Sequence, residues 1–161
     1  MQELDPLQRR AYGRSMPYDV DGWIEVTYLD SQKEAITEEH AWLTVISLSA
    51  FSLSGGGFSE RLFGLAKHSA GGLFARRGVP VNATPLTISD FNEGDGIEGA
   101  RLDPTHAYWN EVEEAILTST PSVFDDPDER EWATFILAVR GVINLLGKSP
   151  DKCRLIIWGN W

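Results

Sequence analysis

Apolar and polar residues alternate with a period of two in Trp23-Ile24-Glu25-Val26-Thr27-Tyr28-Leu29, with Ile24, Val26 and Tyr28 on one side and Trp23, Glu25 and Thr27 on the other. In β-forming residues, that period predicts a strand with one wet face. Trp42-Leu43-Thr44-Val45-Ile46-Ser47-Leu48 reads as a second strand with enough apolar residues to be buried on both faces, and Arg154-Leu155-Ile156-Ile157-Trp158 as a closing strand. Elsewhere the period lengthens. Trp132, Phe135, Ile136, Val139, Ile143 and Leu146 recur at spacings of three and four, behind the start signal Asp126-Pro127-Asp128-Glu129 and ahead of a stop at Gly147. That stretch predicts the longest helix. Asp103-Pro104 carries a similar start signal and predicts a helix to about Thr118, with Tyr108, Val112, Ala115 and Ile116 inward and Trp109 beside them.

Shorter segments complete the picture. Ser59 caps a short predicted helix with Leu62, Phe63 and Leu65 inward, ended by Gly71-Gly72. Residues 86–103 are acidic and glycine-rich, which predicts a surface loop; Ser31 to His40 is a polar connection. Residues 1–18 show no clean period and carry Arg9, Arg10 and Arg14, so they read as an N-terminal arm ahead of one domain over 19–161. Strands and helices out of strict alternation predict an α+β fold: a mainly antiparallel sheet with two main helices packed on one face.

Charge narrows the function classes. The 161-residue chain has a formal net charge of −10, which argues against general nucleic-acid binding, because neutralising phosphates needs a basic face. The single cysteine, Cys153, excludes an intramolecular disulfide framework and a multi-cysteine zinc site. Met1 to Pro6 has no apolar signal core and no apolar run reaches 18 residues, so the expected location is cytoplasmic, without membrane insertion.

Against this acidic background, Ser54 to Thr84 is a basic island. Arg61, Lys67, Arg76 and Arg77 outnumber Glu60, giving 4 − 1 = +3, and seven glycines run through it. Arginine forks bind phosphate or carboxylate in pairs of hydrogen bonds, and glycine lets backbone N–H groups approach an anion. Arg61, Arg76 and Arg77 are therefore candidate donors of a ligand site, with Asn82, His106 and Trp109 available to bond to and stack on a base or sugar. The bland alternative is a solvated turn whose arginines pair with nearby acids.

Other motifs carry less. Gly147-Lys148-Ser149 lacks the glycine five positions earlier that a phosphate loop requires, since Val142 stands there. Asp90 to Arg101 lacks both the sixth-position glycine and the twelfth-position glutamate of a calcium loop. His40, His68 and His106 form no spaced metal pair, so neither a metal nor a cofactor is expected.

Several short stretches resemble a family of uncharacterised proteins of phages, prophages and actinobacteria. They are Asp21-Gly22-Trp23, Arg61-Leu62-Phe63-Gly64-Leu65-Ala66, Arg77-Gly78-Val79-Pro80-Val81-Asn82-Ala83-Thr84, Thr105-His106-Ala107-Tyr108-Trp109-Asn110-Glu111-Val112 and Cys153 to Asn160. The third is similar to that family's R-G-L-P element, and the fourth to its G-H-S-x-S-W-L-T-L element. Here Asn82 replaces an acid, Ala107 and Tyr108 replace the serine pattern, and Gly159 replaces an aromatic. The resemblance implies a phage-related, cytoplasmic setting, a host cytoplasm included, and groups Arg77, Asn82, His106 and Trp109.

Three expectations follow, with binding favoured over catalysis. The first is a non-enzymatic protein that sequesters a small anionic, phosphate-bearing ligand derived from a nucleotide, as a counter-defence. The second is an acidic inhibitor or immunity-type factor that covers a basic host protein. The third is a hydrolase of the same ligand working through His106. The oligomeric state is left open, a homo-oligomer included.

Overall fold

The computed structural model of the protein describes residues 19–28, 41–66, 69, 71–93 and 101–160. The arm at 1–18, the polar connection before His40, Lys67, His68 and the centre of the acidic loop (94–100) lie outside the described residues. Four strands form one antiparallel sheet in the order β2-β1-β4-β3: β1 Asp19–Thr27, β2 Trp42–Ser47, β3 Arg101–Tyr108 and β4 Cys153–Asn160. Among the described residues four α-helices accompany them: α1 Gly57–Phe63, α2 Pro85–Glu93, α3 Trp109–Thr118 and α4 Arg130–Leu145. The protein is thus α+β, with its two main helices, α3 and α4, on one face of the sheet.

The apolar period explains that packing. Ile24 and Val26 of β1 and Leu155 and Ile157 of β4 point to one face and meet Leu62 and Phe63 of α1, Val112 and Ile116 of α3, and Trp132, Phe135, Ile136 and Val139 of α4. Aromatic rings knit the helices together. Trp132 stacks on Phe63 at 6.1 Å between centroids and meets Phe135 edge-on at 5.8 Å, and Trp109 meets Phe135 edge-on at 6.2 Å.

The expected wet face of β1 is not wet. Glu25 and Thr27 are both fully buried. The cover comes from Ala83, Val79 and Phe91, which pack on Trp23, Ile156 and Trp158. Phe91 belongs to α2, in the stretch expected to be a loop. Its start signal is plain in retrospect: Thr84 Oγ1 accepts the Thr87 N–H at 3.2 Å, and Pro85 takes the first helical position. Acidic composition masks that signal. β2, by contrast, lies at the sheet edge rather than buried on both faces, and its Leu43 is 52% exposed.

Helix boundaries shifted in two other places. Asp103-Pro104 starts no helix. Asp103 has φ +49° inside β3, where the ladder to β4 slips between Leu102 and Thr105, and that irregularity accommodates a proline without an N–H. The helix begins six residues after Asp103, where the Glu111 carboxylate accepts the Tyr108 N–H at 2.9 Å. α1 ends at Gly64, before the Gly71-Gly72 stop. α4 follows its period: Asp126 Oδ1 caps the lead-in turn through the Asp128 N–H, and Gly147 leaves the helix with φ +63°.

Candidate functional site

The glycine-rich loop before α1 does hold an anion, and the anion is the protein's own. Glu129, at the end of the short 3-10 turn Pro127–Glu129, extends its carboxylate to the first turn of α1, where the Phe58 N–H donates to Glu129 Oε1 at 2.6 Å. Gly57 has φ +50°, and a Cβ there would land on Glu129 Oε1. Glycine is needed at this position both for its backbone angle and for the space. Trp132 fastens the same loop by donating from Nε1 to the Ser54 carbonyl at 3.1 Å.

Glu129 is 7% exposed, and burial pushes the pKa of its carboxyl up. The Phe58 N–H and the charge of Arg61 oppose that shift, while Asp126 and Asp128 reinforce it. Arg61 itself is exposed on the last turn of α1.

Arg77 and His106 meet instead at the Arg77-Gly78 turn beside β3. The Arg77 Nη1 donates to both oxygens of Glu111, at 2.9 and 3.1 Å, and its guanidinium sits 4.8 Å from the centre of the Phe74 ring. The Arg77 N–H reaches Thr105 Oγ1 at 3.2 Å. His106 Nδ1 lies 2.8 Å from the Gly78 carbonyl oxygen, which only accepts, so Nδ1 carries the proton. Burial works to raise the Glu111 pKa, yet the Arg77 bonds, the Tyr108 N–H and the nearby His106 outweigh it and hold it below the usual range. Arg76, next in the chain, is exposed with φ +61°.

Asn82 and Trp109 belong elsewhere. Trp109 is 1% exposed, inside the helical core, with Nε1 donating to Glu113 Oε1 at 2.9 Å, so it presents no ring face to a ligand. Asn82 is part of a network on the opposite face of the sheet. Arg154 donates from Nε and Nη2 to Glu25 Oε2 at 2.9 and 2.7 Å, from Nη1 to Asn82 Oδ1 at 2.8 Å, and from Nη2 to the Asn82 carbonyl at 2.9 Å. The second Glu25 oxygen accepts the Thr84 N–H and the Thr87 hydroxyl.

Arg154 is 2% exposed and lies 3.8 Å from the centre of the Trp42 ring. Burial pulls its pKa down, while the charge and hydrogen bonds of Glu25, with Tyr108, pull it back up. Neither partner was singled out from the sequence. The signal was an acid and a base, each set in an apolar strand, whose opposite charges predict a cross-strand pair.

At the far end of that face Arg101 donates to Asn160 Oδ1 at 2.9 Å and to Asp90 Oδ1 at 3.4 Å, and Trp23 Nε1 donates to Asp90 Oδ2 at 2.8 Å. Beside them opens a hollow of about 290 Å³ lined by Asp19, Val20, Asp21, Ser49, Ser52, Leu53 and Asn160. Burial raises the Asp21 pKa, and Asp90 adds to the effect against Arg101. The lining has two acids and no base. Such a hollow suits a cation or a set of hydrogen-bond donors.

Among the described residues no cluster of three or more histidine, cysteine or acidic side chains is arranged to hold a metal, and no helix is long and apolar enough to cross a membrane. No family model matches the chain, and no curated protein or solved structure matches it.

Proposed function

We propose that this is a binding protein that acts without chemistry of its own, and that its acidic surface docks a basic protein. The observation that carries this reading is the internal pairing of four arginines, from exposed to fully buried: Arg77 with Glu111, Arg101 with Asp90, Arg140 with Glu113 and Arg154 with Glu25. Cations committed in this way hold the fold together, and of the candidate arginines only Arg61 and Arg76 stay outside these four pairs. The glycine loop that resembles an anion site is already satisfied by Glu129. The excess of acids over bases, 24 against 14, then falls to the surface and to the hollow beside Asp19 and Asp21. A lysine or arginine of the partner fits that hollow, its stem on Val20 and Leu53 and its head among the carboxylates.

The test is a pull-down with the full chain at low and high salt, followed by titration of the captured protein. A stoichiometric basic partner, released by salt and weakened by the double substitution Asp19→Asn/Asp21→Asn, is the expected result. A nucleotide that raises the melting temperature, with the gain lost in Arg61→Ala/Arg76→Ala, would replace this reading with sequestration of a phosphate-bearing ligand. That alternative rests on Arg76 and Arg61, which are exposed.

A further inference from the structure

Four acids of this fold, Glu25, Asp90, Glu111 and Glu113, each hold an arginine. The two that line the hollow where β1 begins and β4 ends do not. Among the described residues neither Asp19 nor Asp21 has a salt-bridge partner. Asp21 is half-buried, and burial raises its pKa more than Arg101, already bonded to Asp90 and Asn160, lowers it. Ser49, Ser52 and Asn160 add oxygens that accept hydrogen bonds, and Val20 and Leu53 add apolar surface. Two carboxylates with neutral acceptors beside an apolar patch match a guanidinium, a fork of five donors on an aliphatic stem.

The chain supplies guanidinium groups next to this hollow. Residues 1–18 join the fold at Asp19, which lines the hollow, and the following Val20 N–H is held by the Leu53 carbonyl at 3.0 Å. Arg9, Arg10 and Arg14 stand against Glu3 and Asp5 in that arm, so its formal charge is 3 − 2 = +1 and residues 19–161 sum to −10 − 1 = −11. From Pro6 to Tyr18 it holds three arginines and no acid. Arg14 precedes Asp19 by five residues, at most about 18 Å of extended chain, and Arg9 by ten, about 36 Å. Gly13 and Pro17, on the way to β1, are turn-forming residues.

We infer that an arginine of residues 9–14 occupies the hollow beside Asp19 and Asp21 and has to leave before a basic partner enters. The inference rests on the docking role proposed above and makes the N-terminal arm the regulator of that site. A short tether sets an effective concentration on the order of 1 mM. An arm that binds in trans with a Kd of about 0.1 mM then fills the hollow roughly nine-tenths of the time and weakens an incoming ligand about tenfold.

Nuclear magnetic resonance of the full chain tests this without a partner. In Arg9→Gln/Arg10→Gln/Arg14→Gln the amide signals of Ser49, Ser52 and Asn160, all far from the arm in sequence, move while those of α3 and α4 stay, which also shows that the fold is kept. Added salt moves the same three signals in wild type. A synthetic peptide of residues 6–18 binds the triple variant about tenfold more tightly than wild type, and adding Asp19→Asn/Asp21→Asn to the triple variant removes that binding. Hollow signals that do not move, equal peptide affinities in the two chains, or shifts that appear only as wild type is concentrated, the mark of an arm from a second copy, overturn the inference. Such a failure leaves the partner reading intact, since capture that depends on Asp19 and Asp21 does not need the arm. A docked arm with no captured protein removes the partner and not the contact.

Discussion

The two faces of the sheet are held by different means. One face carries α1, α3 and α4 and is sealed by rings and aliphatic side chains, non-directional contacts whose strength follows buried area. The other is closed by the 71–84 segment and α2 around a buried ion pair, in which both Glu25 oxygens are bonded. The first tolerates approximate fits. The second is all-or-none, because a buried charge that loses its partner is left without water to replace it. A polar cluster this well satisfied fixes strand register and the path of a loop, and gives up the plasticity of an oily core.

The largest expected effect separates these two means directly. Arg154→Met leaves Glu25 buried and unpaired and lowers unfolding stability by about 3–5 kcal/mol, whereas Arg154→Met with Glu25→Leu recovers most of the loss. Urea denaturation of the three proteins decides it, and a double variant no better than the single one breaks the comparison. Next comes the loop before α1. Gly57→Ala meets both a left-handed backbone and the Glu129 carboxylate, and a loss of about 1–2 kcal/mol from the backbone term alone sets the lower bound. On the helical face Ile136→Val lowers stability by about 0.5–1.5 kcal/mol, the graded response of an apolar core. Arg77→Ala removes a pair whose side chains are 35% and 33% exposed, and water screens it to about 0.2–1 kcal/mol.

Acid titration sharpens the same contrast, through two carboxylates shifted in opposite directions. Glu113 is held below its ordinary 4.5 by the Arg140 hydrogen bond, against burial. It contributes stability above pH 4.5 that is lost as pH falls through its lowered pKa. Glu129 sits above 4.5 through burial, so its proton is bound more tightly in the folded state, and wild-type stability from this group rises as pH falls from neutral through the raised pKa towards 4.5. Stability differences against wild type therefore move oppositely. The deficit of Glu113→Gln shrinks on acidification, and any advantage of Glu129→Gln at neutral pH shrinks as well, so Glu129→Gln falls relative to wild type while Glu113→Gln rises. Parallel trends would mean that one of the two environments is misassigned.

Periodicity made β1, β4 and α4 legible as elements; burial follows the apolar pattern in α4, whereas in β1 and β4 the polar Glu25, Thr27 and Arg154 are buried as well. β3 was not legible, since Asp103-Pro104 carries a helix signal that only the strand slip beside β4 overrides. α2 was missed although Thr84-Pro85 spells its cap, because acidic composition outweighed a single local signal. The site divides in the same way. A glycine loop with basic neighbours was readable as an anion holder, and the anion arrives from 71 residues further along the chain. Asn82 was readable as a polar residue with bonds to make, yet its partner Arg154 lies 72 residues away. Local chemistry is written in the sequence, and the pairings across the chain are set by the sheet.

β4 lies between β1 and β3, and the Glu25–Arg154 contact within it spans 129 positions of sequence. During synthesis β1 therefore spends most of its early life with β2 as its sole strand neighbour and one edge unpaired. Contacts that close such long loops form late and slow the approach to the native state. The β1 edge is where a half-made chain is most open to wrong pairing, and the last strand to arrive removes that exposure.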